Sequence, residues 1–188
     1  MFGRSNSASG DAVKMAGIAA LGLAAGLAAN FGRKLMVQGP SLMQKDWMEA
    51  LKAEHTAVLK LFDAIEATDD SQTARRGTLL AQIKHALGKH AFEEENVIYP
   101  DLKDHGLAME AGRLIVDHGD VKHMLFELDS MALDSPDFLT TIRTFRQSLE
   151  AHMHEEEDEI FPAFDAKLTD EQRKLLTAKM NREGFRLA

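Results

Sequence analysis

The side chains available for chemistry in this chain are imidazoles and carboxylates: eight His, 30 Asp+Glu and no Cys among 188 residues. The lack of Cys excludes disulfides, thiolate metal sites, iron–sulfur clusters and Cys nucleophiles. The His and Glu residues are not scattered. His90-Ala-Phe-Glu-Glu-Glu-Asn-Val-Ile-Tyr-Pro100 and His152-Met-His-Glu-Glu-Glu-Asp-Glu-Ile-Phe-Pro162 agree at six of eleven positions without a gap. His55 lies 35 residues before His90, and His118 lies 34 before His152. The chain therefore reads as two copies of one unit, each carrying a single His and then an HxxxE. In HxxxE both side chains leave the same helix face one turn apart, which suits them to share or bridge a metal ion.

Apolar residues recurring at three- and four-residue spacing predict the helices that carry these groups. The first is expected over 43–67, with Leu51, Val58, Leu59, Phe62 and Ile65 inward. The second spans 74–104, with Ile83, Leu87, Val97 and Ile98 inward, Pro100 disturbing its last turns and Gly106 ending it. The third covers 107–132 through Leu114, Val121, Leu125 and Leu128. Ser135-Pro136 is expected to open the fourth, which uses Ile142, Phe145, Leu149 and Ile160 before Pro162. Thr169 with Gln172 fits a capping box for a short fifth helix ending near 181. Short connections join antiparallel neighbours, so the expected fold is all-α: an up-down-up-down four-helix bundle over 41–168, followed by a short C-terminal helix and tail over 169–188.

Each stripe is broken by a polar residue where a core residue belongs: His55; His90 and Glu94; His118; His152 and Glu156. Uncompensated, such buried groups cost several kcal/mol each, about enough to unfold a small bundle. Counting from the helix ends at about 1.5 Å per residue places all of them within roughly one or two turns of one layer. They converge on a common interior site suited to iron, manganese or zinc, with the two carboxylates able to bridge two ions.

These residues resemble the hemerythrin-like, or HHE cation-binding, family over roughly 43–165. The resemblance implies a non-haem di-iron centre that binds or senses dioxygen, peroxide or nitric oxide, with His55, His90, His118 and His152 as terminal ligands and Glu94 and Glu156 as bridges. Two positions depart from the family pattern. Where oxygen carriers have a second His one turn along the third helix, this chain has Lys122; His123 is the neighbouring alternative ligand. Carriers often place the last carboxylate five residues after its His, which makes Glu157 the alternative to Glu156. Ferritin-type bundles need Glu three residues before His, a spacing this chain lacks. A di-iron peroxidase or nitric-oxide-consuming enzyme, and a membrane-associated structural or iron-handling module, are the rival readings.

Tyr99, the flanking acids Glu93, Glu95 and Glu155, and the Met residues read as packing or solvated positions. The formal charge of −8 and the absence of any Lys/Arg concentration argue against nucleic acid as a partner. Residues 1–40 form an Ala/Gly-rich extension. Its uncharged run 15–31 is at the low end of a membrane span and contains Gly22-x-x-x-Gly26, so membrane association, self-association and a cleaved export signal are the alternatives to a cytoplasmic chain.

Overall fold

A computed structural model describes residues 44 and 46–187. Among these all regular secondary structure is helical. Helix α1 spans Trp47–Glu66, α2 Thr73–Glu93, α3 Tyr99–Asp104, α4 Ala108–Ser130, α5 Phe138–Glu155, α6 Phe161–Asp165 and α7 Asp170–Leu187. Two π-helical turns, Glu94–Ile98 and Glu156–Ile160, join α2 to α3 and α5 to α6, making two long rods. The rods, α1 and α4 form the expected up-down-up-down bundle. The extension over 1–40, with its apolar run 15–31, lies outside the described residues. Among the described residues no helix is long and apolar enough to cross a membrane.

Local chemistry accounts for the ends. Asp46 caps α1 by accepting the amide of Met48 at 2.9 Å. Gly106 adopts φ +83°, and the amides of Gly106 and Leu107 close on the carbonyls of Lys103 and Leu102, the Schellman pattern that a left-handed glycine permits. Thr169 and Gln172 form the anticipated reciprocal capping box, at 2.8 and 3.2 Å.

Two expectations need correcting. Ser135-Pro136 does not open the fourth helix directly: Ser135 accepts the Phe138 amide in a turn, and α5 begins at Phe138. The C-terminal helix is also longer than expected, running to Leu187 and burying Leu176 and Met180 against α1, α2 and the first π turn. Arg173 secures its start through Asp165, which also accepts the Trp47 indole N–H.

The apolar interior forms two clusters. One gathers Trp47, Leu51, Tyr99, Leu114, Phe161 and Phe164 with α7. The other gathers Val58, Phe62, Ile83, Phe138, Phe145 and Leu149 at the opposite end, with Leu59, Val121 and Leu125 half-buried at its margin. Arg76 closes that end. It is fully buried, donates to Thr68, Asp70 and the Leu133 carbonyl, and lies over the Phe138 ring, tying both loops of that end together.

Candidate metal centre

Between the two apolar clusters lies a layer of polar side chains. His55 on α1, His90 on α2, His118 on α4, His152 on α5, and Glu94 and Glu156 at the heads of the π turns are all more than nine-tenths buried. They make two groups with shared carboxylates. His55, His90, Glu94 and Glu156 bring their ligand atoms within 4.8 Å of one another, as do Glu94, His118, His152 and Glu156. His123, by contrast, is exposed and belongs to neither group. Glu157 turns outward and accepts from His55 Nδ1 at 2.6 Å, whereas Glu156 occupies the interior.

The imidazoles are oriented from behind. Nδ1 of His55 meets Glu157, that of His90 meets Glu54 at 3.1 Å, that of His118 meets Glu95 at 3.0 Å, and that of His152 faces Asp117 at 3.5 Å. An ionised carboxylate only accepts, so each of the three bonded Nδ1 atoms carries the proton. Their Nε2 atoms are left facing the interior, toward Glu94, Glu156 and one another, as in carboxylate–histidine–metal arrangements. The supports obey the internal repeat. Glu54 and Asp117 each precede a single His and serve the HxxxE His of their own hairpin. Glu95 and Glu157 each follow the inner Glu and serve the single His of the other hairpin.

The sequence reading named Glu157 only as an alternative ligand and missed the supporting role of all four carboxylates. The acid before each single His and the acid after each inner Glu recur in both copies, which is the signal that could have found them. Glu93 and Glu95, read as solvated flanks, also need correcting: Glu93 is fully buried, and Glu95 binds both His118 and Lys122. Lys122, where oxygen carriers have His, therefore points away from the interior to an exposed ion pair.

The π turns explain a further miss. Pro100 and Pro162 lack the N–H that an α-helix requires and crowd the carbonyl one turn back. Just before each, the helix widens so that the Tyr99 and Phe161 amides bond the Glu94 and Glu156 carbonyls five residues earlier. Widening brings residue i+5 under residue i. Tyr99, expected only to pack, thus places its hydroxyl 2.7 Å from Glu156, 3.3 Å from Glu94 and 3.1 Å from His118 Nε2. Phe161, its repeat mate, has no hydroxyl to offer.

Electrostatically the layer is unfinished. His55 Nε2 and His90 Nε2 face each other at 2.8 Å, an arrangement that repels unless a proton or cation lies between them. Glu94 Oε1, Glu156 Oε2 and both ring nitrogens of His152 are buried without a hydrogen-bond partner. Burial raises Glu156, and the charge of Glu94 raises it further, well above the usual carboxylate range. Burial acts the same way on Glu94, but His90 and His118 outweigh it and hold Glu94 well below that range. Burial also drives His152 down to about 4, favouring the neutral imidazole that binds metal. Four imidazoles and two carboxylates without a thiolate form a donor set for a first-row transition ion. The orphaned atoms mark where such ions fit.

Beside the imidazoles is a cavity of about 10 Å³ walled by Leu87, Ala91, Val121, Leu149 and Met153. It has room for about one water-sized molecule.

The sequence matches the Hemerythrin HHE cation binding domain family over residues 48–164. An uncharacterized hemerythrin-like protein of Schizosaccharomyces pombe is 25% identical over 139 residues, covering 71% of this chain and 66% of that protein. A DNA nickase of Nostoc is 24% identical over 137 residues, covering 73% of this chain and 38% of that protein. This chain thus spans less than two thirds of either relative. A hemerythrin HHE cation-binding domain protein of Mycobacterium kansasii superposes with TM-score 0.68 at 24% identity, covering 77% of this chain and 88% of that one. With the helical bundle, the duplicated HxxxE layer and the family match in agreement, this chain belongs to the hemerythrin HHE cation-binding family.

Proposed function

We propose that the polar layer holds two non-haem iron ions and that the protein binds or senses a small oxidant: dioxygen, peroxide or nitric oxide. One ion would be held by His55 and His90 and the other by His118 and His152, with Glu94 and Glu156 shared between them. The observation that carries this reading is the buried layer itself: four imidazoles directed at two carboxylates, with Glu94 Oε1, Glu156 Oε2 and His152 Nε2 left without a hydrogen-bond partner. Iron there would supply redox and ligand-binding chemistry. The chain's own residues fix three of the four imidazoles by their Nδ1 protons, keep water out with two apolar clusters, and hold a hydroxyl proton at Tyr99 Oη. The cavity beside the imidazoles favours a diatomic or similarly small ligand over a large organic substrate.

The nicking activity named for the Nostoc relative is not carried over. This chain covers too little of that protein, and it is acidic without a basic cluster. The test is metal analysis of the purified protein, combined with absorption spectra under air, under anaerobic conditions and with peroxide. Two irons per chain and bands that respond to the oxidant are expected; zinc or no metal sinks the proposal. Saturable turnover that disappears in Glu94→Ala would move the reading to the di-iron enzyme.

A further inference from the structure

Helix α4 carries two stripes, and the bundle uses one of them. Ala111, Leu114, His118 and Leu128 face the interior and are buried. On the opposite side Met109, Gly112, Val116, Gly119, His123 and Phe126 recur at alternating three- and four-residue spacing, which aligns them along one face of the helix. All six are exposed, Met109 by 86%, Val116 by 64% and Phe126 by 70%. Among the described residues, the outer faces of α1, α2 and α5 expose no large apolar side chain; outside α4 the exposed ones are Leu175 and Leu187 on α7. The glycines of the stripe are as unusual as its apolar residues. Gly112 and Gly119 lie inside the helix, neither has a positive φ, and a Cβ on either would meet nothing within 4 Å. Neither the backbone nor internal packing requires glycine at these places, although glycine weakens a helix interior. Close approach of a second helix accounts for both glycines and gives the three large side chains a partner.

We propose that residues 15–31 of this chain, which lie outside the described residues, form that helix and pack antiparallel on the outer face of α4. Size, reach and charge favour this occupant over a second copy of the chain. The stripe runs about 26 Å from Met109 to Phe126 and is one helix, about 10 Å, wide, so it offers roughly 300 Å² per partner, well below the about 800 Å² of a standard stable interface. A tethered segment needs less, because its linker already holds it nearby. The 17 residues of the uncharged run make a helix of about 26 Å, the length of the stripe. The run rejoins the described chain at the Trp47 end of the bundle, where α4 also begins, since Trp47 shares a cluster with Ala111 and Leu114. The 15 residues 32–46 can extend to roughly 50 Å, twice the roughly 25 Å across two packed helices. Phe31 then comes to the Met109 end and Met15 to the Phe126 end, which sets the antiparallel sense. The flanking charges agree with it: Lys14 arrives beside Glu127, and Arg33 and Lys34 beside Glu110. Gly17, Gly22 and Gly26 give the segment small residues of its own for a close approach. None of this depends on the metal-centre reading.

The chain has no Cys, so a single introduced thiol reports accessibility without background. In the full-length protein the thiol introduced by Val116→Cys should react with a maleimide about tenfold or more slowly than the one introduced by His85→Cys, an exposed reference on α2. Adding Leu21→Asp and Leu27→Asp, which place charge in the segment, should raise the Val116→Cys rate to the reference, and the protection should not change with protein concentration. Spin labels on the pair Ala12→Cys and Ser130→Cys should lie nearer to each other, by about 20 Å, than labels on Ala12→Cys and Ala108→Cys, the signature of antiparallel packing. Reaction of Val116→Cys at the reference rate overturns the proposal. Protection that is lost on dilution, with a dimer in sedimentation, overturns it in favour of a second copy. Protection seen only with vesicles of phosphatidylcholine and phosphatidylglycerol overturns it in favour of a lipid surface. Should the doubly charged variant not fold, the spin labels decide: equal or reversed distances overturn the proposal.

Discussion

The two halves of the polar layer share their inner side chains and differ in what stands behind them. On each side two imidazoles face inward, and Glu94 and Glu156 belong to both. Behind His90, the Glu54–Lys89–Glu93 trio is buried and knitted by short ion pairs. Burial and the charge of Glu54 push Glu93 up to about 8, despite the ammonium beside it. Behind His152, Asp117 is half-exposed and its contact is looser, at 3.5 Å. Repetition of a ligand pattern therefore does not make two equal sites. The inner set decides what can bind, and the outer set decides how firmly each ligand is held.

Substitutions can break this comparison in order of size. Glu94→Ala removes the carboxylate common to both halves and is expected to abolish binding of both ions, whereas His118→Ala should leave one. Metal analysis of the two variants separates shared from private ligands. Lys89→Met leaves Glu54 and Glu93 without their buried cation, and urea unfolding should show a loss of about 3–5 kcal/mol. No residue on the other side can produce an equal loss, because Ala151, which precedes His152 as Lys89 precedes His90, has no such role. Glu54→Gln should weaken metal binding by about 10–100-fold in a chelator competition, the range for a carboxylate supporting a ligating imidazole. Asp117→Asn should fall at or below the low end, given its longer contact. The smallest effect sharpens the contrast between Tyr99 and Phe161. Tyr99→Phe deprives Glu156 and Glu94 of a buried donor, at a cost of about 1–3 kcal/mol in thermal unfolding of the metal-free protein.

Much of this centre was legible because it violates a rule. A stripe of Leu, Val and Ile interrupted by His or Glu is conspicuous, and the repeat doubles the signal at His90/Glu94 and His152/Glu156. The bundle, the Gly106 stop and the Thr169 cap were legible for the same reason, since each depends on a local residue pattern. The outer carboxylates obey the ordinary rule instead. Glu54, Glu95, Asp117 and Glu157 look like solvated acids on polar faces, and only the neighbouring helix shows that they are turned against an imidazole. Lys89 and Glu93 were hidden in the same way, being long side chains one residue off the stripe that fold back into the interior. Tyr99 escaped because a constant 3.6-residue period was assumed across Glu94–Ile98, where the helix widens. The start of α5 was misplaced because Ser135-Pro136 is equally at home in a turn and at a helix cap.

The position of the polar layer between the two apolar clusters bears on how the molecule holds together as a cooperative unit. The Trp47/Phe164 end and the Phe62/Phe145 end share no cluster residue, so their mutual stabilisation passes through the layer and the continuous rods. With unpartnered polar atoms of Glu94, His152 and Glu156 in between, that coupling is weak, and each end is expected to open on its own as a partial unfolding unit. Cations bridging all four helices would join the ends into a single one. Amide hydrogen exchange then distinguishes the states: in the metal-free protein the two ends protect their amides to different extents, and in the loaded protein they converge on one opening free energy.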